Sequence, residues 1–212
     1  MGRRFAELAF TPLVKEQQER HGSRRQYARM EEMGEPGDRL TEFEQEFIAG
    51  RDGFYMASTS ETGWPYIQYR GGEKGFLHVL DDQTLGFADL RGNKQYVSVG
   101  NLAHDDRVAL FFMDYAHQLR LKILGRAKVH ENDAEAAALL KKLRVPGEKT
   151  PAERAMVIHV EAFDWNCPQH ITPRYTQEEL MGTLEPVRKR MELLEAENAR
   201  LRMLVGETAA TS

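Results

Sequence analysis

The chain has 212 residues, 41% apolar and 29% charged, which is typical of a soluble globular protein with one domain and an appendage. Its 29 basic side chains nearly balance 33 acidic ones, and the net charge of -4 argues against nucleic acid or an anionic membrane as a partner. No apolar run is long enough to span a bilayer, and the start lacks the hydrophobic core of a secretory signal. A single cysteine, Cys167, excludes internal disulfides, so we expect a cytoplasmic protein.

The first part of the chain predicts helices. Residues 12–33 are charged and rich in glutamine, and they indicate a surface helix that is interrupted near Gly22. The segment Glu35-Pro36-Gly37-Asp38 should end this helix. Thr41, followed three residues later by Glu44, is typical of a capping box and predicts another short helix.

Short segments rich in β-forming residues come next, and turn residues bound most of them. They are residues 54–59, 65–70, 75–80, 84–88, 107–114, 119–129 and 156–163. Between them, residues 92–102 predict a helical turn and the alanine-rich residues 133–142 predict a helix. Closely spaced strands with few long helices favour a small antiparallel barrel, a mainly β (α+β) fold. The two commonest nucleotide-binding motifs, G-x-G-x-x-G and the Walker loop, do not occur in the sequence.

A glycine-punctuated basic loop follows the fourth predicted strand and is of the kind that holds a phosphate. Residues 87–94 read Phe-Ala-Asp-Leu-Arg-Gly-Asn-Lys, in which Gly92 would allow a tight turn and a close approach to an anion. The hydrogen-bond donors of the loop and the next turn are Arg91, Asn93, Lys94 and Ser98. The pattern indicates a phosphate-bearing ligand, although a hairpin loop with solvated charges has the same composition.

A heptad pattern occupies the last thirty residues. The positions alternately three and four apart are Leu184, Val187, Met191, Leu194, Asn198, Leu201 and Val205. Asn198 then occupies an a position, which is typical of parallel dimers. Across such a dimer Arg190 would face Glu195, and Glu197 would face Arg202, so both pairs are oppositely charged. The pattern predicts a homodimer with parallel tail helices; the alternative is an amphipathic helix packed on its own domain.

The run Arg188-Lys189-Arg190 precedes most of the heptads, as a basic region does in DNA-binding zipper proteins. Three basic residues are far fewer than a groove-reading helix needs, and Pro186 should interrupt the helix just upstream. We therefore expect no nucleic-acid partner.

Residues 69–72, 84–94, 98–102 and 165–174 together resemble the FMN-binding split-barrel proteins related to pyridoxamine 5′-phosphate oxidase, and especially the branch described as flavin-nucleotide-binding proteins. The last of these segments reads Trp-Asn-Cys-Pro-Gln-His-Ile-Thr-Pro-Arg. The resemblance covers roughly residues 43–174. It implies an FMN-binding split β-barrel with flanking helices and a C-terminal coiled-coil helix. The expected parts are an N-terminal helical segment (1–40), the FMN-binding domain (41–175) and a dimerisation tail (176–212).

The resemblance also implies cofactor contacts within one subunit. Arg70 would lie against the flavin or its phosphate chain, and the backbone at Phe87 and Ala88 would face the edge of the ring system. Lys94 matches a phosphate-binding lysine, a point charge suited to a terminal phosphate. Asn93 stands where the classical oxidase has an arginine. Either Arg91 or Ser98 is expected to replace that contact.

Three further residues would reach the flavin ring or the partner subunit. Arg120 matches a polar side chain that reaches the ring, and an outward-facing strand residue is the alternative. Trp165 and Arg174 resemble a tryptophan and an arginine that contact the FMN of the partner subunit, which would place the site at a dimer interface. A core aromatic and a surface cation are the alternatives for these two.

The catalytic residues stay unassigned. Cys167 and His170 are chemically suitable, but neither has a partner visible in the sequence, and a role in shaping the pocket is favoured. The remaining histidines show no metal-binding spacing. The expected function is an FMN-dependent oxidoreductase acting on a small molecule. The alternatives are a non-catalytic flavin-binding module that recruits partners through its tail, a related deazaflavin as cofactor and, as a minor one, a haem protein.

Overall fold

The computed structural model describes residues 2–165 and 169–210, with side chains up to Met203, and within them seven strands form one antiparallel sheet. The strands are β1 (Gly53–Thr59), β2 (Pro65–Gly71), β3 (His78–Asp81), β4 (Thr84–Leu90), β5 (Arg107–Asp114), β6 (Leu119–His130) and β7 (Ala152–Trp165). Their order in the sheet is β2-β1-β5-β6-β7-β4-β3. Each of the seven predicted segments overlaps one of these strands. The predicted fold class is therefore confirmed.

The described part of the chain also forms helices. They are α1 (Arg3–Ala9), α2 (Pro12–Arg20), α3 (Arg24–Met33), α4 (Glu42–Ala49), α5 (Val97–His104), α6 (Ala134–Lys142) and α7 (Gln177–Ala210). The predicted break near Gly22 separates α2 from α3. The capping box of Thr41 and Glu44 is present at the start of α4. Helix α1 was not predicted, because its seven residues carry no pattern of their own; buried Phe5 and Ala6 fix it to the protein.

The core lies on the inner face of the sheet. Strand β5 alternates between buried and more exposed positions, and the buried ones include Leu110 and Phe112. The ring of Phe54 lies 5.2 Å from that of Phe112 and 5.6 Å from that of Phe87. This aromatic cluster packs β4 against β1. It thereby positions the ends of β2 and β4, which carry the polar residues Arg70 and Asp89.

A β-bulge curves the sheet between β6 and β7. The register shifts between Leu124 and Gly125. A Cβ atom on Gly125 would lie 2.5 Å from the carbonyl oxygen of His159, which is closer than backbone atoms allow. Glycine is therefore required at this close approach, and a bulge bends its strand and increases the local twist.

The chain divides into two compact units, one ending at Ile171 and the other beginning at Thr172. In the second unit, Thr176 and Glu179 cap α7 reciprocally: the Thr176 N–H donates to Glu179 Oε2 at 2.7 Å, and the Glu179 N–H donates to Thr176 Oγ1 at 3.2 Å. The described apolar seam residues are each about half exposed; they are Leu184, Val187, Met191, Leu194 and Leu201.

Pro186 does not interrupt the tail helix, so that prediction was wrong. Helix α7 runs through it from Gln177 to Ala210. Proline removes one backbone hydrogen bond, to the carbonyl of Gly182, while the turns on either side keep theirs, and the space around Gly182 is open. The basic run Arg188-Lys189-Arg190 is still too short for a helix that reads a DNA groove. None of the described helices is both long and apolar enough to cross a membrane.

Candidate functional site

A polar cleft of about 190 Å³ lies between β2, the end of β4, the loop leading to α5 and the start of β7. Strand β2 turns its alternate residues Tyr66, Gln68 and Arg70 toward the cleft because successive side chains of a strand point to opposite faces. The charged side chains that line the cleft are Arg70, Asp89, Lys94, Glu153 and Arg154. Three cations thus face two carboxylates, which favours an anionic ligand.

Asp89 connects two of these cations. The register of β4 and β7 places Asp89 directly opposite Arg154. Arg70 Nη1 donates to Asp89 Oδ1 at 2.6 Å, and Arg154 Nη1 donates to Asp89 Oδ2 at 3.3 Å. Burial raises the pKa of Asp89, and the two guanidinium groups offset only part of this effect. Asp89 therefore holds two arginines side by side at the wall of the cleft.

The Nε atom of Arg70 is buried and has no hydrogen-bond partner among the residues that the structure describes. Buried donors are normally paired, since an unpaired one costs free energy. The same side chain lies on the edge of the cleft with its Nη1 fixed by Asp89. This orphaned donor suits an acceptor that a ligand would supply.

The loop after β4 takes an unusual backbone path. Lys94 and Tyr96 adopt left-handed conformations, with φ values of 60° and 54°. Asn93 Oδ1 accepts the N–H of Gln95 at 3.2 Å, which tightens the turn between them. Gly92, expected to make the tight turn, does not have a positive φ and has open space where a Cβ would be. Non-glycine residues in the left-handed region are often found at functional sites.

The start of α5 is tied to β2 and β1 by side-chain hydrogen bonds. Ser98 is buried, and its Oγ donates to Gln68 Oε1 at 3.0 Å. Asn101 Nδ2 donates to Ser58 Oγ at 3.0 Å. These bonds hold the first turn of α5 against the cleft.

Four of the ten predicted cofactor-binding residues meet in the cleft: Arg70, Asn93, Lys94 and Ser98. The side chain of Phe87 belongs to the core. Ala88 lines a separate cavity of about 300 Å³, which Phe76, Leu143 and Val145 make largely apolar. Arg91 points outward, where its Nε donates to Glu153 Oε1 at 3.3 Å.

Arg120 and Trp165 do not line the cleft of their own chain. Arg120 lies on β6 opposite Met113, and its Nε is buried without a partner in the described part of the chain. The indole N–H of Trp165 donates to Glu44 Oε1 at 2.7 Å, and its ring packs on Phe43 and Phe47 of α4.

Arg174 is exposed and belongs to the second unit, and His170, also exposed, has a φ of 66°. Cys167 lies outside the described residues. Within the described ranges, no three His, Cys, Asp or Glu side chains approach one another as metal ligands would.

Sequence reasoning missed Arg154, Asp89, Gln68 and Tyr96 as parts of this cleft. Arg154 is a lone cation at the start of a long apolar strand, which is a weak signal by itself. It becomes informative only once the β4–β7 register sets it opposite Asp89.

The model of the pyridoxamine 5′-phosphate oxidase family matches residues 40–167, which is more than half of the chain. The chain belongs to this family. The match covers β1 to β7, and thus all the strands that build the cleft. No curated protein shows significant sequence similarity to the chain.

Solved structures of similar fold include HupZ of Group A Streptococcus (18% identity, 64% of this chain and 99% of that one, TM-score 0.49). They also include an FMN-binding protein of Syntrophomonas wolfei (13%, 58% and 83%, TM-score 0.45). A third is a Clostridium acetobutylicum protein related to general stress protein 26 of B. subtilis (14%, 63% and 92%, TM-score 0.43). Likeness this low carries no information on ligand or activity.

The family implies a flavin nucleotide, and the donor set of the cleft fits one. Arg70, which Asp89 holds in place, and Lys94 line the cleft together with the hydroxyl of Ser98 and the amide of Asn93. The unpartnered Nε of Arg70 adds a donor that a phosphate oxygen would satisfy. The polar cleft therefore matches the phosphate end of such a cofactor.

Proposed function

We propose that this protein binds FMN at a homodimer interface and acts as an oxidoreductase on a small molecule. The observation that carries the proposal is the buried, unpartnered Nε of Arg70 beside Lys94 and Ser98 in one polar cleft. The family model, which covers all seven strands, supports the same cofactor class. The single cysteine favours a reducing compartment, so the proposal places the protein in the cytoplasm.

The residues of the cleft would hold the phosphate and leave the chemistry to the cofactor. FMN supplies reversible hydride or electron transfer. Arg70, already oriented by Asp89, donates to phosphate oxygens without first losing much side-chain freedom. Lys94 adds a charge from the loop, and Ser98, in the first turn of α5, would exchange its hydrogen bond to Gln68 for one to the phosphate.

The homodimer is supported by an exposed apolar face of the sheet. On β2 and β1, the side chains of Ile67, Tyr69 and Tyr55 are 63%, 55% and 37% exposed, and the rings of Tyr55 and Tyr69 lie 5.4 Å apart. Contiguous exposed apolar residues of this kind mark interaction surfaces. The opposite face of β2 lines the cleft, so a second copy on the exposed face would bring two clefts near the interface.

Two cations would then act across this interface. Arg120 lies on the same face of the sheet as Tyr55. It pairs with Met113, which is two residues beyond Phe111, and Phe111 pairs with Tyr55. Its unpartnered Nε suits an acceptor on the second copy or on its cofactor. We assign Arg120 and Arg174 to the cleft of the second subunit. Trp165 would have to give up its bond to Glu44 to do the same.

The alternative function is a flavin-binding module without turnover that recruits another protein through α7. The half-exposed seam of α7 favours this alternative as well as self-association. Reduction of the FMN-loaded protein by a nicotinamide donor, followed by reoxidation by an added acceptor, supports the enzyme. A protein that binds FMN, fails to be reduced, and captures a heterologous partner only when α7 is present supports the module.

Cofactor binding is tested by titrating FMN into apoprotein and following the quenching of flavin fluorescence. Lys94→Ala should raise the Kd for FMN about tenfold, because one charge-assisted contact is lost. Lys128→Ala, which removes an exposed lysine of β6 outside the cleft, is the matched control and should leave Kd unchanged. Equal Kd values for Lys94→Ala, Lys128→Ala and the unmodified protein contradict the proposed phosphate site. A deazaflavin bound with higher affinity than FMN contradicts the cofactor assignment.

A further inference from the structure

Arg154 is the most firmly held cation of the cleft. It is 7% exposed and lies at the start of β7. Its Nε donates to Glu131 at 3.0 Å, its Nη1 to Asp89 at 3.3 Å and its Nη2 to Glu153 at 3.1 Å. The guanidinium carbon lies 4.9 Å from the centre of the Tyr96 ring. Three carboxylates and one aromatic face therefore fix both the position and the plane of this group.

These contacts do not use all of its donors. A guanidinium group has five N–H bonds, and the three contacts take one from each nitrogen. Within the described part of the chain, one N–H on Nη1 and one on Nη2 remain. Each of these two N–H groups can donate to an oxygen of a phosphate. Arg154 lines the cleft, so a phosphate there is within reach of this side chain.

Arg91 provides an instructive contrast. It bonds the same carboxylate as Arg154, through Glu153 Oε1 rather than Oε2. Its side chain is 57% exposed and does not line the cleft. The loop after β4 thus gives the cleft only one cation, Lys94, although its sequence contains two.

The charge balance leaves room for an anion. The charged residues that line the cleft are the cations Arg70, Lys94 and Arg154 and the carboxylates Asp89 and Glu153. Among these lining residues one positive charge is therefore uncompensated.

We infer that Arg154 is a phosphate-binding residue of the flavin nucleotide site, held in place by Asp89, Glu131 and Glu153. This rests on the proposed function, since it names a further contact of the same cofactor. The phosphate-binding cations of the cleft are then Arg70, Lys94 and Arg154, which come from three separate elements: β2, the loop and β7.

The test compares FMN with riboflavin, which lacks the phosphate. Dissociation constants for both are measured on the full chain by flavin fluorescence, for the unmodified protein and for Arg154→Ala, Arg154→Lys and Arg91→Ala. Arg154→Ala should weaken FMN binding about 10- to 100-fold and leave riboflavin binding within about twofold. Arg91→Ala, the matched control, should change neither. Arg154→Lys should give an intermediate loss for FMN alone, because lysine keeps the charge but not the planar set of donors.

Folding of each variant is checked by circular dichroism and thermal unfolding, since Arg154 also pairs with buried Asp89. If Arg154→Ala does not fold, the affinities of Arg154→Lys for FMN and riboflavin are used instead. A loss of FMN affinity without loss of riboflavin affinity supports the inference, whereas equal losses for both ligands, or none for either, overturn it. A protein that binds FMN no better than riboflavin before any substitution contradicts the proposed phosphate site itself. A preference for FMN that survives in the Arg154 variants contradicts only this inference.

Discussion

Buried carboxylates in this protein hold cations in place, and Asp114 illustrates what such a pair contributes to stability. Asp114, at the end of β5, is buried and forms an ion pair with Arg51 Nη1 at 2.9 Å. It also accepts the backbone N–H of His117 and faces the ring Nδ1 of the same residue, both at 3.0 Å. Burial alone would raise the pKa of Asp114, but these bonds and the charge of Arg51 outweigh it and lower the pKa.

Asp114→Asn should therefore destabilise the protein at neutral pH by about 2 kcal/mol, since Arg51 loses its partner. Because the pKa of Asp114 is lowered by folding, the charged carboxylate contributes its full stabilisation above its ordinary pKa of 3.8. This contribution is lost as the pH falls through the lower pKa that Asp114 has in the folded protein. Urea unfolding at pH 7 and at pH 3 measures the difference.

The destabilisation caused by Asp114→Asn should shrink at the lower pH. The paired control is Asp105→Asn, which removes an exposed-surface ion pair with Arg107 and should cost much less at pH 7. A difference between Asp114→Asn and the unmodified protein that is the same at both pH values would contradict this assignment.

At the scale of elements, Gly125 determines how β6 passes β7. Gly125→Ala should lower the free energy of unfolding by about 1–3 kcal/mol, because its Cβ would meet the His159 carbonyl oxygen at 2.5 Å. Gly100→Ala is the matched control: Gly100 lies inside α5 with nothing within 4 Å, so alanine should be neutral or slightly stabilising there. Chemical denaturation of both variants measures the effect. Equal stabilities for the two variants would mean that the bulge tolerates a side chain.

The strands could be predicted because short segments of β-forming residues are bounded by turn residues. The capping box could be predicted because Thr41 and Glu44 are close in sequence. The cleft could be predicted only in part. Lys94 and Ser98 share one local motif with Asn93, whereas Arg154 is far away in sequence and reaches Asp89 only through strand pairing. Helix α1 was not predictable, because tertiary burial of Phe5 rather than local propensity holds it.

At the scale of the whole molecule, self-association should involve the tail as well as the sheet face. Truncation after Pro186 and the substitution Asn198→Leu both alter the α7 seam. We expect truncation to raise the dimer dissociation constant, and Asn198→Leu to change the oligomeric state or its stability, because an asparagine at an a position specifies a dimer. Light scattering at several concentrations measures both, with Arg200→Ala, an exposed residue outside the seam, as control.

If neither tail variant changes self-association or stability, α7 does not pair with a second copy. If self-association persists after truncation at higher protein concentration, the exposed face around Tyr55, Ile67 and Tyr69 accounts for it.

The most direct test of the central claim is the visible absorption spectrum of the purified protein, with mass identification of any molecule that is released on denaturation. We expect a flavin band and the mass of FMN, either directly after purification or after incubation with added FMN. A protein that remains colourless and fails to take up FMN would contradict the assignment of the Arg70–Lys94 cleft to a flavin nucleotide.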